Sequence, residues 1–362
     1  MRIMHIASGD KWAGAEVQVW TLCAELVRQQ HEVYAVIMNP GRLAAELEKA
    51  GVKVTVLDES QYSFWQLLGK LKAELRRVYP EVVHTHRQKE NILGALANRL
   101  TINAKSFRTV HGAPEFAPSA KQKMQIAMDQ FCGKYLQHGV ISVDNELTEK
   151  LKGIYPAGRI HTIANGISTK SVCEDAASNK VEPLDKAFVH IGLVGRLEPV
   201  KRVDLFLQAA ALLKQDSSLT HSLIFHVFGD GSLADNLKTQ AVEAGISEQV
   251  IFHGHTDSVR SWIAQMDYLM MTSDHEGLPM TALESLALGT PMIAHATGGL
   301  KPLLQQAFPE GLVYQHSAQG YYEGVLRALK QPDASARQIG LPAAYEAANN
   351  AKQCVAVYTS AQ

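Results

Sequence analysis

The sequence predicts an α/β protein built from two doubly wound, Rossmann-like domains, and three observations carry that prediction. Short apolar runs rich in β-branched residues alternate with helical patterns, which is how parallel strands and their crossover helices read. The alternation breaks once, over a polar stretch at 168–186, and then restarts. The 362 residues are too many for one ordinary core and suit two.

In the first half, strands are expected at 2–7, 32–38, 52–57, 81–86, 106–111 and 139–143, with a further one at 160–164. Val19, Leu22, Cys23 and Leu26 recur at helical spacing between the first two. In the second half, strands are expected at 188–194, 223–228, 250–253, 268–272, 291–296 and 312–314. The expected boundaries are 1–170 for the first domain, 171–186 for a linker and 187–342 for the second domain. A last helix, within 343–362, suits packing on either domain, a return onto the first included.

Composition excludes several classes. Apolar residues make up 46% and charged residues 20%, a globular balance. The four cysteines (Cys23, Cys132, Cys173 and Cys354) are far apart, which excludes a disulfide scaffold and a cysteine-rich zinc site. No apolar run reaches the roughly 18 residues of a membrane span, and the amino terminus enters a strand pattern rather than a secretion leader. A cytoplasmic location is expected. The net charge of −1 hides an asymmetry: residues 1–170 carry a balance of +6, the remainder −7. A basic first half suits an anionic partner but is too diluted by acids for nucleic acid.

Five constellations could carry chemistry, each at the expected carboxyl end of a strand. Glu276-Gly277-Leu278-Pro279 leads into a helix that contains Glu284 and ends before Gly289. A helix amino terminus there favours phosphate, and each carboxylate can accept hydrogen bonds from vicinal sugar hydroxyls. An acidic loop plus a solvated helix glutamate is the plainer reading. Gly192-Leu193-Val194-Gly195-Arg196, followed by Lys201, offers two cations for a diphosphate, or else a basic surface turn. Gly229-Asp230-Gly231-Ser232 lets a ligand or a neighbouring backbone approach, or is a tight turn. Trp12-Ala13-Gly14-Ala15-Glu16 could meet a phosphate but lacks GxGxxG and P-loop spacing, which counts against nicotinamide enzymes and kinases. His84 and His86 share a strand face without a third metal ligand nearby in sequence, so zinc is not expected, and His111 lies beside Gly112.

In this order, the set resembles the retaining, nucleotide-sugar-dependent glycosyltransferases of family four, whose two domains face each other across a cleft in the GT-B fold. The resemblance covers nearly the whole chain. Its most specific parts are Gly195-Arg196 with Lys201, Asn165-Gly166-Ile167, and Glu276 to Glu284, an E-x7-E motif followed by Ala-Leu-Gly-Thr-Pro. Weaker matches are Gly14-Ala15-Glu16, His84-Thr85-His86 and Thr109–Gly112. The resemblance implies an amino-terminal acceptor-side domain and a carboxyl-terminal nucleotide-sugar domain. Arg196 and Lys201 would neutralise the donor's diphosphate, and Glu284 would hold ribose hydroxyls. Glu276 would hold the transferred sugar, with the backbone N–H groups of Gly277 and Leu278 near sugar and phosphate. Gly14 and Gly229 would let loops approach the donor, and His111 would contact the sugar near the reacting carbon.

The expected function is transfer of a sugar from a nucleoside diphosphate donor, UDP favoured by family frequency, to a hydroxyl of a lipid-linked or cell-envelope glycan. The leaving phosphate itself would accept the acceptor's proton. No cofactor and no metal are expected, since no DxD pair is present. The alternatives are a UDP-sugar 2-epimerase-like enzyme, which shares the fold, and a catalytically dead sugar-nucleotide-binding protein. A peripheral contact with the inner face of the plasma membrane is a further expectation. Residues 64, 67, 68, 71, 75 and 78 form an apolar helical stripe, with Lys70, Lys72, Arg76 and Arg77 between them, and a second basic stretch runs over 121–134. The plainer reading packs that stripe on the sheet and solvates the basic face.

Overall fold

The computed structural model describes residues 1–10, 12–112, 119–331 and 339–360, with backbone only for Ala120 and Lys121. The chain forms two compact units, Met1–Ile167 with Ala344–Gln362, and Ser168–Ala343.

The first unit holds a seven-stranded sheet of β1 (Arg2–Ala7), β2 (Glu32–Ile37), β3 (Lys53–Val56), β4 (Val82–His86), β5 (Lys105–Val110), β6 (Gly139–Ser142) and β7 (Ile160–Thr162). Its order is β3-β2-β1-β4-β5-β6-β7, and every pairing is parallel. Strands covered by helices on both faces need apolar residues on both, which is why they read as unbroken apolar runs. Ile3, Val33, Ile37, Val82 and Phe107 meet Leu22, Cys23 and Leu26 of the helix Gly14–Arg28 in one core. The last helix, Ala347–Ser360, adds Ala351, Cys354 and Tyr358 to that core. Ile167 meets the returning chain here, its N–H donating to the Tyr345 carbonyl and its carbonyl accepting from the Ala347 N–H. A Cβ on Gly166 would stand 3.0 Å from the Ala347 Cα, so the Asn165-Gly166-Ile167 motif is where the returning segment docks.

The second unit has a six-stranded sheet, β8 (Val189–Val194), β9 (Leu223–Phe228), β10 (Val250–Gly254), β11 (Tyr268–Met271), β12 (Met292–His295) and β13 (Leu312–Val313). Its order is β10-β9-β8-β11-β12-β13, again all parallel. Both sheets are doubly wound, as expected. Successive strands run outward from β8 to β10, and the chain then crosses back to lay β11 on the other side of β8.

One expectation changes. The stretch read as a linker at 171–186 contains most of a helix, Thr169–Ser178, whose amino end is capped by the Ser168 hydroxyl accepting from the Ser171 N–H. It buries only Val172, so it shows no apolar period, yet it is held by contacts within the second unit. At the basic stripe of 64–79 the plainer reading holds. In the helix Phe64–Val78, Leu67, Leu68, Leu71, Leu75 and Val78 are buried in the core with Met4, Ile6 and Val83. That apolar face is spent on the sheet and cannot enter a membrane. Phe64 and Trp65 stay exposed at its start. No helix among the described residues is long and apolar enough to cross a membrane.

Candidate active site

The order reversal at β8 determines where a site can form in the second unit. The loops leaving β8 and β11 diverge from adjacent strand ends, and such a switch point is where open α/β sheets hold ligands. From β8 the chain passes Gly195 and the exposed Arg196, then makes a single 3-10 turn, Pro199–Lys201. From β11 it passes Thr272 to Leu278 before the helix Met280–Ala287. The two loops are stitched together by the Asp274 N–H donating to the Val200 carbonyl at 2.9 Å and the Thr272 hydroxyl donating to the Lys201 carbonyl at 2.8 Å. The stitching brings Lys201 Nζ to 2.6 Å from Glu276 Oε1. The Ser273 hydroxyl donates to the same oxygen at 2.6 Å. Glu276 Oε2 has no partner among the described residues.

The Glu276 loop is pressed from outside by a glycine pair that the sequence reading passed over. Gly298 has φ +49°, and a Cβ there would lie 1.7 Å from the Glu276 carbonyl oxygen. Gly299 donates its N–H to the Gly277 carbonyl. Only residues without side chains allow this approach, and it fixes the loop in which Glu276 stands. Pro279 is the amino-terminal cap rather than the first helical residue. Gly289, at φ +81°, follows the helix as expected. Leu278 turns its side chain into the interior.

Glu284 lies in that helix and is 8% exposed. Burial pushes its carboxyl above the ordinary range, and the Arg260 guanidinium pulls it part of the way back. Arg260 Nε and Nη2 both donate to Glu284 Oε1, at 3.0 and 2.7 Å. Arg260 Nη1 reaches Asp175 Oδ2 at 3.1 Å. Glu284 Oε2 has no partner among the described residues. The two glutamates of the E-x7-E motif therefore share one arrangement: a cation holds Oε1, and Oε2 remains an acceptor for a hydroxyl. The sequence reading missed Arg260, Asp175 and Ser273. No spacing rule links Arg260, in the short helix Val259–Ile263, to Glu284.

Gly229 has φ +125°, and a Cβ would stand 1.9 Å from the Gly195 carbonyl oxygen. Its bareness is thus required by the neighbouring loop. The Ser232 hydroxyl donates to Glu198 at 2.7 Å, which ties the loop after β9 to the loop after β8.

Gly14 and His111 belong to the first unit. Gly14 is the first residue of the helix Gly14–Arg28 rather than part of a loop, and it is exposed. Glu16, two residues on, is buried and paired with Arg87 at 2.5 Å. His111 follows β5. Its Nε2 is 3.2 Å from His86 Nδ1, whose ring passes its own Nε2 to His5 Nδ1 at 3.1 Å. Burial, with Arg87 and Arg108 nearby, holds His111 down to about 4, and burial holds His5 down to about 3, so both are neutral near pH 7. His84 and His86 have no third ligand type near in sequence, but β1 brings His5 beside them in space, and the three offer nitrogens within 4.8 Å of one another. Both nitrogens of His84 are engaged, with the Tyr358 hydroxyl at 2.6 Å and the Thr109 hydroxyl at 2.8 Å. The arrangement fits hydrogen-bonded neutral imidazoles better than three nitrogens aimed at one ion.

Residues 175–342 match the family model described as glycosyl transferases group 1, and residues 12–171 match glycosyltransferase family 4. The chain is 25% identical over 279 residues to an Escherichia coli UDP-Gal:alpha-D-GlcNAc-diphosphoundecaprenol alpha-1,3-galactosyltransferase, covering 74% of this chain and 70% of that one. It is 31% identical over 186 residues to a D-inositol 3-phosphate glycosyltransferase of Mycolicibacterium gilvum (strain PYR-GCK), covering 49% of this chain but only 41% of the relative. Among solved structures, Anabaena Alr3699/HepE in complex with UDP and glucose superposes with a TM-score of 0.78 at 17% identity, over 99% of this chain and 100% of that one, which is a likeness of fold.

Proposed function

The chain belongs to the glycosyltransferases that join a family 4 domain to a group 1 domain, and from that premise we propose that it moves a hexose from a UDP-sugar to a hydroxyl of a lipid-linked glycan, with retention at the anomeric carbon. The observation that carries the reading is the matched pair of carboxylates, each with Oε1 held by a cation and Oε2 left for a hydroxyl. Glu284 takes ribose hydroxyls and Glu276 takes hydroxyls of the transferred sugar. Arg196 and Lys201 face the diphosphate. His111, neutral, contacts the sugar near the reacting carbon. The E. coli relative, whose named donor is UDP-Gal and whose named acceptor is a diphosphoundecaprenol saccharide, supports the donor and acceptor class.

In the reaction, the bond from the anomeric carbon to the β-phosphate oxygen breaks. The acceptor oxygen bonds to that carbon on the same face, and its proton passes to the departing phosphate oxygen. Charge builds on the leaving diphosphate, so fixed cations there are worth several kcal/mol of barrier. This needs no protein nucleophile. A cytoplasmic enzyme of this kind meets its acceptor at the membrane surface.

The test is Glu276→Ala, assayed with UDP-sugars and an undecaprenyl-diphosphate saccharide. Turnover falls severely while UDP still binds. Activity within a few-fold of the unaltered protein removes Glu276 from the sugar site. Product formed without an acceptor points instead to an epimerase.

A further inference from the structure

The helix Ala120–Tyr135 is amphipathic in the reverse of the usual sense. Met124, Met128, Phe131 and Tyr135 are 67, 43, 52 and 62% exposed. Spacings of 4, 3 and 4 place them in one narrow arc, along about 16 Å of helix axis. The Phe131 and Tyr135 rings lie 5.0 Å apart, with Lys134 Nζ 5.4 Å from the Tyr135 ring. The opposite face holds the polar groups. Asp129 is buried there, paired with Arg108 and accepting from Asn91 at 2.8 Å, beside the buried Cys132.

Turning Asp129 inward removes the helix's one carboxylate from its surface. The described charges left outside are Lys123 and Lys134, which a 100° advance per residue places together on one flank of the apolar row. The helices Phe64–Val78, Gln88–Arg99 and Ala120–Tyr135 pack side by side in one layer. The first of them exposes Trp65 with Lys70, Arg76 and Arg77. Lys121 lies outside the described side chains.

We propose that this row is a docking surface for an anionic lipid bilayer. The methionines and aromatic rings enter the boundary between headgroups and acyl chains, and the lysines lie against lipid phosphates. Charge decides between occupants. Two copies of the chain meeting through this row would bring Lys123 and Lys134 toward their own copies with no exposed carboxylate of the helix to offset them, whereas an anionic surface is complementary. The inference adds to the proposed transfer the surface at which a lipid-borne acceptor is met. It does not depend on that reading, because its test uses neither donor nor acceptor.

The full chain is sedimented with vesicles of phosphatidylcholine alone and of phosphatidylcholine with phosphatidylglycerol. It binds the anionic vesicles at low salt and is released as salt screens the attraction. Met128→Ser with Phe131→Ser weakens binding at least about tenfold, since two side chains no longer leave water. Lys123→Ser with Lys134→Ser weakens it and flattens its salt dependence. All four positions are exposed, so an unchanged thermal transition shows that the variants fold. Phe131→Trp gives a blue-shifted emission with anionic vesicles only. Absence of binding at low salt overturns the proposal, as does equal binding to both vesicle types or binding that ignores the row variants. A dimer in sedimentation velocity that Phe131→Ser abolishes overturns it in favour of self-association.

Discussion

Lys201→Ala separates the contact the structure shows for this ammonium from the diphosphate role proposed for it. Lys201 Nζ lies 2.6 Å from Glu276 Oε1, with the side chains 22 and 10% exposed. Removing it leaves a largely buried carboxylate supported on that oxygen, among the described residues, by the Ser273 hydroxyl alone. A charge-assisted hydrogen bond is worth about 1.5–3 kcal/mol, and partial exposure of the lysine argues for the low end, so unfolding should become easier by about 1–2 kcal/mol. Donor binding should suffer more. A cation lost from a desolvated diphosphate contact costs about 2–4 kcal/mol, or roughly 30- to 700-fold in the dissociation constant of UDP. The double variant Lys201→Ala with Glu276→Gln tells the effects apart. Neutralising the stranded carboxylate restores most of the stability and none of the UDP affinity. Titration calorimetry with UDP and thermal unfolding read the two quantities. If Lys201→Ala binds UDP within threefold of the unaltered protein, or if the double variant recovers both properties, then Lys201 serves Glu276 alone.

Three other outcomes follow from the same geometry. Glu90 is 3% exposed, and burial raises its carboxyl from 4.5 to about 7. The folded state therefore holds a proton that the unfolded chain has released, and stability falls as pH rises from 4.5 to 7, by an amount on the order of 3 kcal/mol. Glu90→Gln should accordingly stabilise the protein above pH 7 and leave it unchanged near pH 4.5 in urea titrations. An equal effect at both ends would refute the assignment. Gly298→Ala forces a Cβ to within 1.7 Å of the Glu276 carbonyl at a positive φ. It should raise KM for the donor and lower kcat with a smaller loss of thermal stability, whereas unchanged kinetics would show that the Glu276 loop tolerates displacement. Chelation with EDTA should leave transfer intact if, as proposed, the cations at the diphosphate are Arg196 and Lys201. Loss of activity restored by Mn²⁺ or Mg²⁺ would overturn that.

The thirteen strands were legible because parallel strands covered on both faces are written as apolar runs between turn residues. Their ends shift by a residue or two, where pairing stops before hydrophobicity does. The helix Thr169–Ser178 was not legible, because it buries Val172 alone and is fixed by Asp175 reaching Arg260, 85 residues away. The same gap hid much of the site. Arg196, Lys201, Glu276 and Glu284 could be found because they sit at strand ends or in a spaced motif. Arg260, Ser273 and the Gly298-Gly299 pair act through contacts that no local period encodes. Alternation showed that His84 and His86 share a face, but not that β1 would be the neighbour that brings His5.

Periodicity also leaves open which face of an amphipathic helix is inside. The clean stripe of residues 64–78 looks suited to a membrane, and it is the core-facing side of a packed helix. The helix Ala120–Tyr135 carries its apolar stripe on the outside, because its inner face is built from an ion pair, a cysteine and Gly133, where a Cβ would press to 2.6 Å from the Tyr155 ring. Burying Asp129 on Arg108 costs desolvation that an apolar pair would not. What the burial achieves is an outer surface without a carboxylate. A helix that hides its acid and shows its methionines is organised around what lies outside the protein, and only the side-chain exposures of the folded chain reveal that inversion.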